Sequence, residues 1–236
     1  MSDQTFNLDN QVSNLDKQAT NLDYQTSRLD RPTIEQLLSI YRLISAYYLQ
    51  GIHHISAVKV SEIKNGIYGE IPLVGEACQI VTDSLLADQD TLMFATFDYN
   101  RLFVGPDKVL APLYESAYRS SRRLLMQEQT LQVRKFYQQM GIENKQAGSL
   151  PDDHLGLELE FICYLLHQML QSQEQSTLFY ERYCEFMTEH VLQWAITHTE
   201  QVMMYSRTPL CKGMAMMLKG ILEHEQLIVR EEQLQP

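Results

Sequence analysis

The sequence predicts an all-α protein. Three observations carry that prediction. Glycine and proline are scarce, at 10 and 7 residues of 236, too few for a turn-rich β-sandwich. Beyond residue 32, apolar residues recur mostly at steps of three and four, the period of one helix face. No stretch sustains the apolar–polar alternation that would mark a strand.

The chain opens on a repeat. Asn7-Leu8-Asp9, Asn14-Leu15-Asp16, Asn21-Leu22-Asp23 and Arg28-Leu29-Asp30 follow one another every seven residues, with Val12, Ala19 and Thr26 between the leucines. The steps of four and three match a coiled-coil seam. Asn, Asp, Ser and Thr surround that seam and compete for the backbone, which weakens a helix. Residues 1–31 therefore read either as a disordered or weakly helical tail or as a short coiled coil.

The folded part begins near Pro32, where Thr33 and Gln36 form a capping box. Leu37, Leu38, Tyr41, Ile44, Ser45 and Tyr48 then follow at helical spacing, and Gly51 ends the helix. Further helices are expected over 73–87, 89–103, 122–140, 152–172, 175–189, 190–206 and 209–228. Gly105, Pro106 and Pro112 make 104–121 an ordered loop, and Gly141 stops the helix before it. The segment 141–151 reads as a hinge joining an N-terminal helical part (32–140) to a C-terminal one (152–236).

A formal net charge of −11 argues against nucleic acid and against an anionic membrane leaflet, both of which need a basic face. The same charge favours solubility or a cationic partner. Cys78, Cys163, Cys184 and Cys211 are far apart, which excludes a zinc-type spacing and fits reduced, packed thiols of a cytoplasmic protein. The N-terminus is polar, unlike a secretory signal, and no run of apolar residues is long enough to span a bilayer. Phosphate-loop, dinucleotide, zincin, di-iron and nucleophile-elbow patterns are all missing, so catalysis and bound cofactors are not expected. The adjacent His53 and His54 point about 100° apart on a helix, too far to share a metal.

The richest stretch runs from Pro151 through Asp152, Asp153, His154 and Glu158 to Phe161. Pro151 suits a first helical turn, and the two aspartates suit a helix N-terminus by capping and by the dipole. His154 and Glu158 lie four apart on one face; without a third ligand they do not make a metal site. Two readings compete: a well-capped helix with a satisfied histidine, or an outward carboxylate cluster that receives arginine side chains. Met203, Met204, Met214, Met216 and Met217 divide in the same way, between ordinary core, the simpler reading, and an adaptable groove lining. Ser121-Arg122-Arg123-Leu124-Leu125-Met126 imitates a twin-arginine motif but lacks a long apolar run after it, and reads as the start of a solvated helix.

The run Pro151-Asp152-Asp153-His154-Leu155-Gly156-Leu157-Glu158-Leu159-Glu160-Phe161 closely resembles the signature of the TorD/DmsD family of molybdoenzyme maturation chaperones. Tyr99-Asn100-Arg101-Leu102-Phe103-Val104-Gly105-Pro106 is similar to the family's Y-x-x-L-F-x-G-P. Pro112 with Glu115-Ser116-Ala117-Tyr118 is similar to its P-x-x-x-S-x-Y. The resemblance covers roughly residues 33–228. It implies a TorD-like bundle of about eight to twelve helices. It also implies a cytoplasmic chaperone that binds the twin-arginine signal peptide and apoprotein of a molybdenum-cofactor reductase, prevents premature export and aids cofactor insertion. By position, the implied client-binding residues are Leu102, Phe103, Gly105, Pro106, Pro151, Asp152, Asp153, His154 and Glu158. Some family members are linked to GTP, although no phosphate loop is present to hold it here. A flexible 141–151 hinge permits a monomer or a domain-swapped dimer. The family often carries tryptophans around the middle loop, whereas the only tryptophan here is Trp194. The alternatives to a chaperone are a helical scaffold that oligomerises through the heptad tail, and a nucleotide- or metal-dependent enzyme.

Overall fold

The computed structural model describes residues 29–105, 108–120, 124–145, 149–172 and 174–233. The heptad tail, apart from Leu29 and the residues after it, lies outside them, as do Pro106 and Arg122-Arg123 of the twin-arginine look-alike. The described residues form an all-α bundle, in which an isolated antiparallel bridge pairs Tyr114 with His154.

Helix α1, Arg31–Gln50, starts because the Asp30 side chain accepts from the Thr33 amide at 3.0 Å and Pro32 sits in the first turn. Leu29 and Ile34, both buried, flank that cap at the spacing of a hydrophobic staple. The last unit of the repeat thus anchors the first helix. Leu37, Tyr41, Ile44 and Tyr48 form its fully packed face, and it ends at Gly51 with φ 86°. A 3₁₀ turn at Ile52–His54, helix α2 over Ala57–Lys64 and a second 3₁₀ turn at Ile67–Glu70 follow. No helix was expected between 52 and 72; α2 is short and weakly amphipathic, and Ser56 starts it with a side-chain cap.

Helix α3, Pro72–Leu85, opens on proline, and α4, Gln89–Phe103, is capped by Asp88. The expected loop at 104–121 contains a short helix, α5, over Glu115–Arg119. Helix α6 spans Glu128–Gln139 and starts later than expected. Helix α7, Leu155–Gln171, begins three residues after the expected start, because Pro151, Asp152 and Asp153 form a turn and His154 takes the cap. Ser176–Phe186 (α8) runs through a π-helical turn at Met187–Val191 into Leu192–Tyr205 (α9), where two separate helices were expected. Helix α10 covers Pro209–Gln233.

The two halves of the chain share one core. Helix α1 packs along α7, α3 packs along α10, and α9 and α8 close the remaining sides. Tyr41, Tyr47, Phe161, Tyr183, Phe186 and Trp194 are among its largest fully buried side chains. Met214, Met216 and Met217 are core, while Met204 is exposed. Three of the four cysteines, Cys78, Cys163 and Cys211, are buried thiols. Among the described residues no helix is long and apolar enough to cross a membrane.

Candidate functional site

The Pro151–Glu158 block sits where α5, α6, α7 and α9 meet. Two backbone bonds pin it to the segment before α5: the Glu115 amide donates to the Asp153 carbonyl at 3.0 Å, and the Leu155 amide to the Leu113 carbonyl at 2.7 Å. These bonds flank the Tyr114–His154 bridge, so two family-like motifs far apart in sequence become one structural unit.

The acidic turn faces inward. Asp152 is 1% exposed, Asp153 0% and Glu158 0%, which corrects the expectation of an outward carboxylate cluster. A carboxylate is buried only when partners replace its water. For Asp153 these are the Ser116 amide at 2.9 Å and the Thr130 hydroxyl at 2.8 Å. For Asp152 the partner is this chain's own Arg134, whose Nε and Nη2 lie 2.8 and 2.7 Å from Oδ2. Tyr137 adds a hydroxyl bond to the Asp152 carbonyl at 3.1 Å.

His154 caps α7: its Nδ1 accepts from the Gly156 amide at 3.1 Å. Burial pushes its pKa down to about 3, so the ring is neutral and able to accept. Gly156 lets α7 approach α1 closely, because a Cβ there would lie 2.5 Å from the Leu49 side chain of α1 and force it to shift. The Gly156 carbonyl accepts from Ser45 of α1 at 2.9 Å, completing the close approach of the two helices.

Glu158 does not share a polar surface with His154. It points into the core, where the Trp194 indole donates to it at 3.0 Å. Burial, with the charges of Glu115 and Asp153 adding to it, holds its carboxyl well above the usual range, so the neutral acid is favoured. Glu115 is buried too, with Arg119 on one oxygen and His190 Nδ1 at 2.9 Å from the other. Arg119 also donates to the Glu189 carbonyl at 2.8 Å, at the π turn, which ties α5 to the α8–α9 corner.

The second motif is likewise internal. Leu102 and Phe103 are buried, and the Phe103 ring packs edge-on against Tyr48, Tyr99 and Tyr47, with centroids 5.6, 4.9 and 6.2 Å away. His198 joins this group. It bridges the Pro112 carbonyl and Tyr48 hydroxyl at 3.1 and 3.2 Å, and burial lowers its pKa to about 3. Gly105, at φ 101°, ends α4 by donating to the Asn100 carbonyl at 3.0 Å. Pro151 is buried, and Pro106 lies outside the described residues.

The sequence reading did not assign Thr130, Arg134, His190 or His198. Glu115 and Ser116 were legible through their motif, and Trp194 through being the lone tryptophan; Arg134 carries no local pattern that would pair it with Asp152. Among the described residues no group of three His, Cys, Asp or Glu side chains is arranged to hold a metal. Two grooves border the network. One of about 540 Å³ is lined by Arg119, Lys135, Phe136, Glu189 and His190. The other, of about 310 Å³, is lined by Arg134, Tyr137, Ile142 and Asp152.

Comparison with known proteins gives a consistent picture. The family model described as nitrate reductase delta subunit matches residues 73–199, from α3 to α9, and so contains the Pro151–Glu158 block with its partners Ser116, Thr130, Arg134 and Trp194. The chaperone protein TorD of Vibrio cholerae serotype O1 (strain ATCC 39541) is 22% identical over 200 residues, covering 81% of this chain and 90% of that one. The probable Tat proofreading chaperone DmsD of Haemophilus influenzae is 26% identical over 132 residues, 56% of this chain and 60% of its own. The chaperone protein TorD of Aliivibrio salmonicida is 27% identical over 129 residues, 52% and 59% of the two chains.

Proposed function

Because this chain belongs to the nitrate reductase delta subunit family, the family of the TorD and DmsD chaperones, we propose that it is a maturation chaperone for a molybdenum-cofactor reductase. In this reading it works in the cytoplasm by binding and carries out no catalysis. It binds the twin-arginine signal peptide and the apo form of its client, delays export and keeps the client open for cofactor insertion. The observation that carries the reading is the family match over 73–199, which contains all three motifs around the Tyr114–His154 bridge.

The buried block takes a revised role in the proposal. Asp152, Asp153, His154 and Glu158, together with Pro151, Leu102, Phe103 and Gly105, set the shape of the client-binding surface from beneath. Their polar atoms are engaged by Arg134, Thr130, Ser116, Gly156 and Trp194.

The test is direct. Full-length protein is titrated calorimetrically with leader peptides of molybdoenzyme reductases and co-expressed with the matching apoproteins. Binding to one leader and recovery of a stable complex with its apoprotein are expected. Failure to bind any such leader or apoprotein ends this reading.

A further inference from the structure

With the motif acids turned inward, the basic start of a leader needs another partner, and the outer face of α4 offers one. At 100° per residue, positions 90, 93, 94, 97, 101 and 104 fall within an arc of about 100°. Asp90, Met93, Phe94, Phe97, Arg101 and Val104 therefore form one stripe, opposite the face that buries Ala95, Leu102 and Phe103. Phe94 and Phe97 are each 60% exposed, and Met93 and Val104 are also exposed. Soluble surfaces seldom leave two phenylalanines one turn apart uncovered unless something covers them in use.

The stripe has a polarity. At its N-terminal end stand Asp88 and Asp90, both exposed. Asp88 is engaged in capping Thr91, at 2.9 Å; Asp90 projects from the first turn. At the far end Arg101 is fixed by Asp98, at 2.6 Å, and by the Tyr205 carbonyl, which brings exposed Tyr205 beside the stripe. Phe94 also borders a groove of about 270 Å³, lined by Thr91, Ala95 and the Arg207–Leu210 turn. The sequence along this face is thus acid, apolar, cation.

We propose that the outer face of α4 is the docking surface for the leader. The leader's basic start meets Asp88 and Asp90, and its apolar run lies along Met93, Phe94 and Phe97. Arg101, already paired with Asp98, offers no acid to a basic start at the other end, and this sets the direction of binding. This inference rests on the chaperone reading and names the surface that reading needs.

The probe is a synthetic peptide that begins Ser-Arg-Arg and continues into a leucine–alanine run, titrated against the full chain. Phe94→Ser with Phe97→Ser should weaken binding at least about tenfold, as loss of central aromatic anchors does. Asp90→Asn should weaken it a few-fold and flatten its salt dependence. Neither variant should lower the melting temperature by more than a degree or two, because these side chains are exposed. Equal binding by wild type and both variants would place the leader elsewhere and overturn this inference while leaving the chaperone reading intact. No binding by any form, wild type included, overturns both. Conversion of a wild-type dimer to a monomer by the phenylalanine pair, seen in sedimentation, would make the stripe a self-interface and overturn its assignment to a leader.

Discussion

At the scale of single residues, the acids of the Pro151–Glu158 block act as internal struts. Asp153→Ala should strip partners from the Ser116 amide and the Thr130 hydroxyl, costing roughly 2–4 kcal/mol of stability in a denaturant titration. The neutral histidines make the fold acid-sensitive. The pKa of His154 and His198 falls from 6.5 in the unfolded chain to about 3 in the folded one. Below pH 6.5 the unfolded state therefore takes up protons that the folded state refuses, and stability falls as pH falls. Between pH 6.5 and 5 each ring contributes a loss of about 2 kcal/mol. His154→Asn keeps a capping side chain, so its melting temperature should drop less than that of wild type between pH 7 and 5. Glu158 carries the opposite sign: its raised pKa stabilises the fold at low pH, and that contribution is lost as pH rises above its ordinary value of 4.5. The melting-temperature difference between wild type and Glu158→Gln should accordingly shift against wild type on going from pH 4.5 to 8.

At the scale of helices, the bundle rests on close approaches that local sequence announces unevenly. The α1–α7 contact depends on Gly156 meeting Leu49. Gly156→Ala should destabilise by roughly 1–3 kcal/mol through overpacking, and adding Leu49→Ala should recover part of that loss in the same thermal melt. Long amphipathic helices were legible in the sequence: α1, α3, α4 and α10 fall close to where apolar periodicity placed them. The start of α7 was not, because a Pro-Asp-Asp run suits a first helical turn and a tight turn equally well. Only the bridge to Tyr114, a partner about forty residues upstream, selects the turn. Helix α2 escaped for lack of a strong apolar face, and the π turn at Met187–Val191 because one extra residue in a helix leaves no local signature. The direction of the acids stayed open in the sequence for a related reason. Burial of Asp152 depends on Arg134, and a pairing across eighteen residues cannot be read from either end alone.

At the scale of the whole molecule, the two most extensive helix packings join distant parts of the chain. Helices α1 and α3 complete their packing on α7 and α10, from the other side of the 141–151 segment. A fragment ending at residue 145 should therefore fail to give a cooperative melt by circular dichroism. Co-expression with a second fragment starting at residue 149 should restore one. Independent two-state melting of the two pieces would show that each half owns its core.

The Arg134–Asp152 pair has a further consequence for recognition. A guanidinium arriving from solution could reach Asp152 only by evicting one of its own kind. Such an exchange trades like for like, with a net free energy near zero, and adds the cost of rehousing the displaced side chain. Asp152 therefore gives no thermodynamic preference to an arginine over the residue already there. Any preference for a guanidinium ligand would have to come from acids that hold no cation of their own.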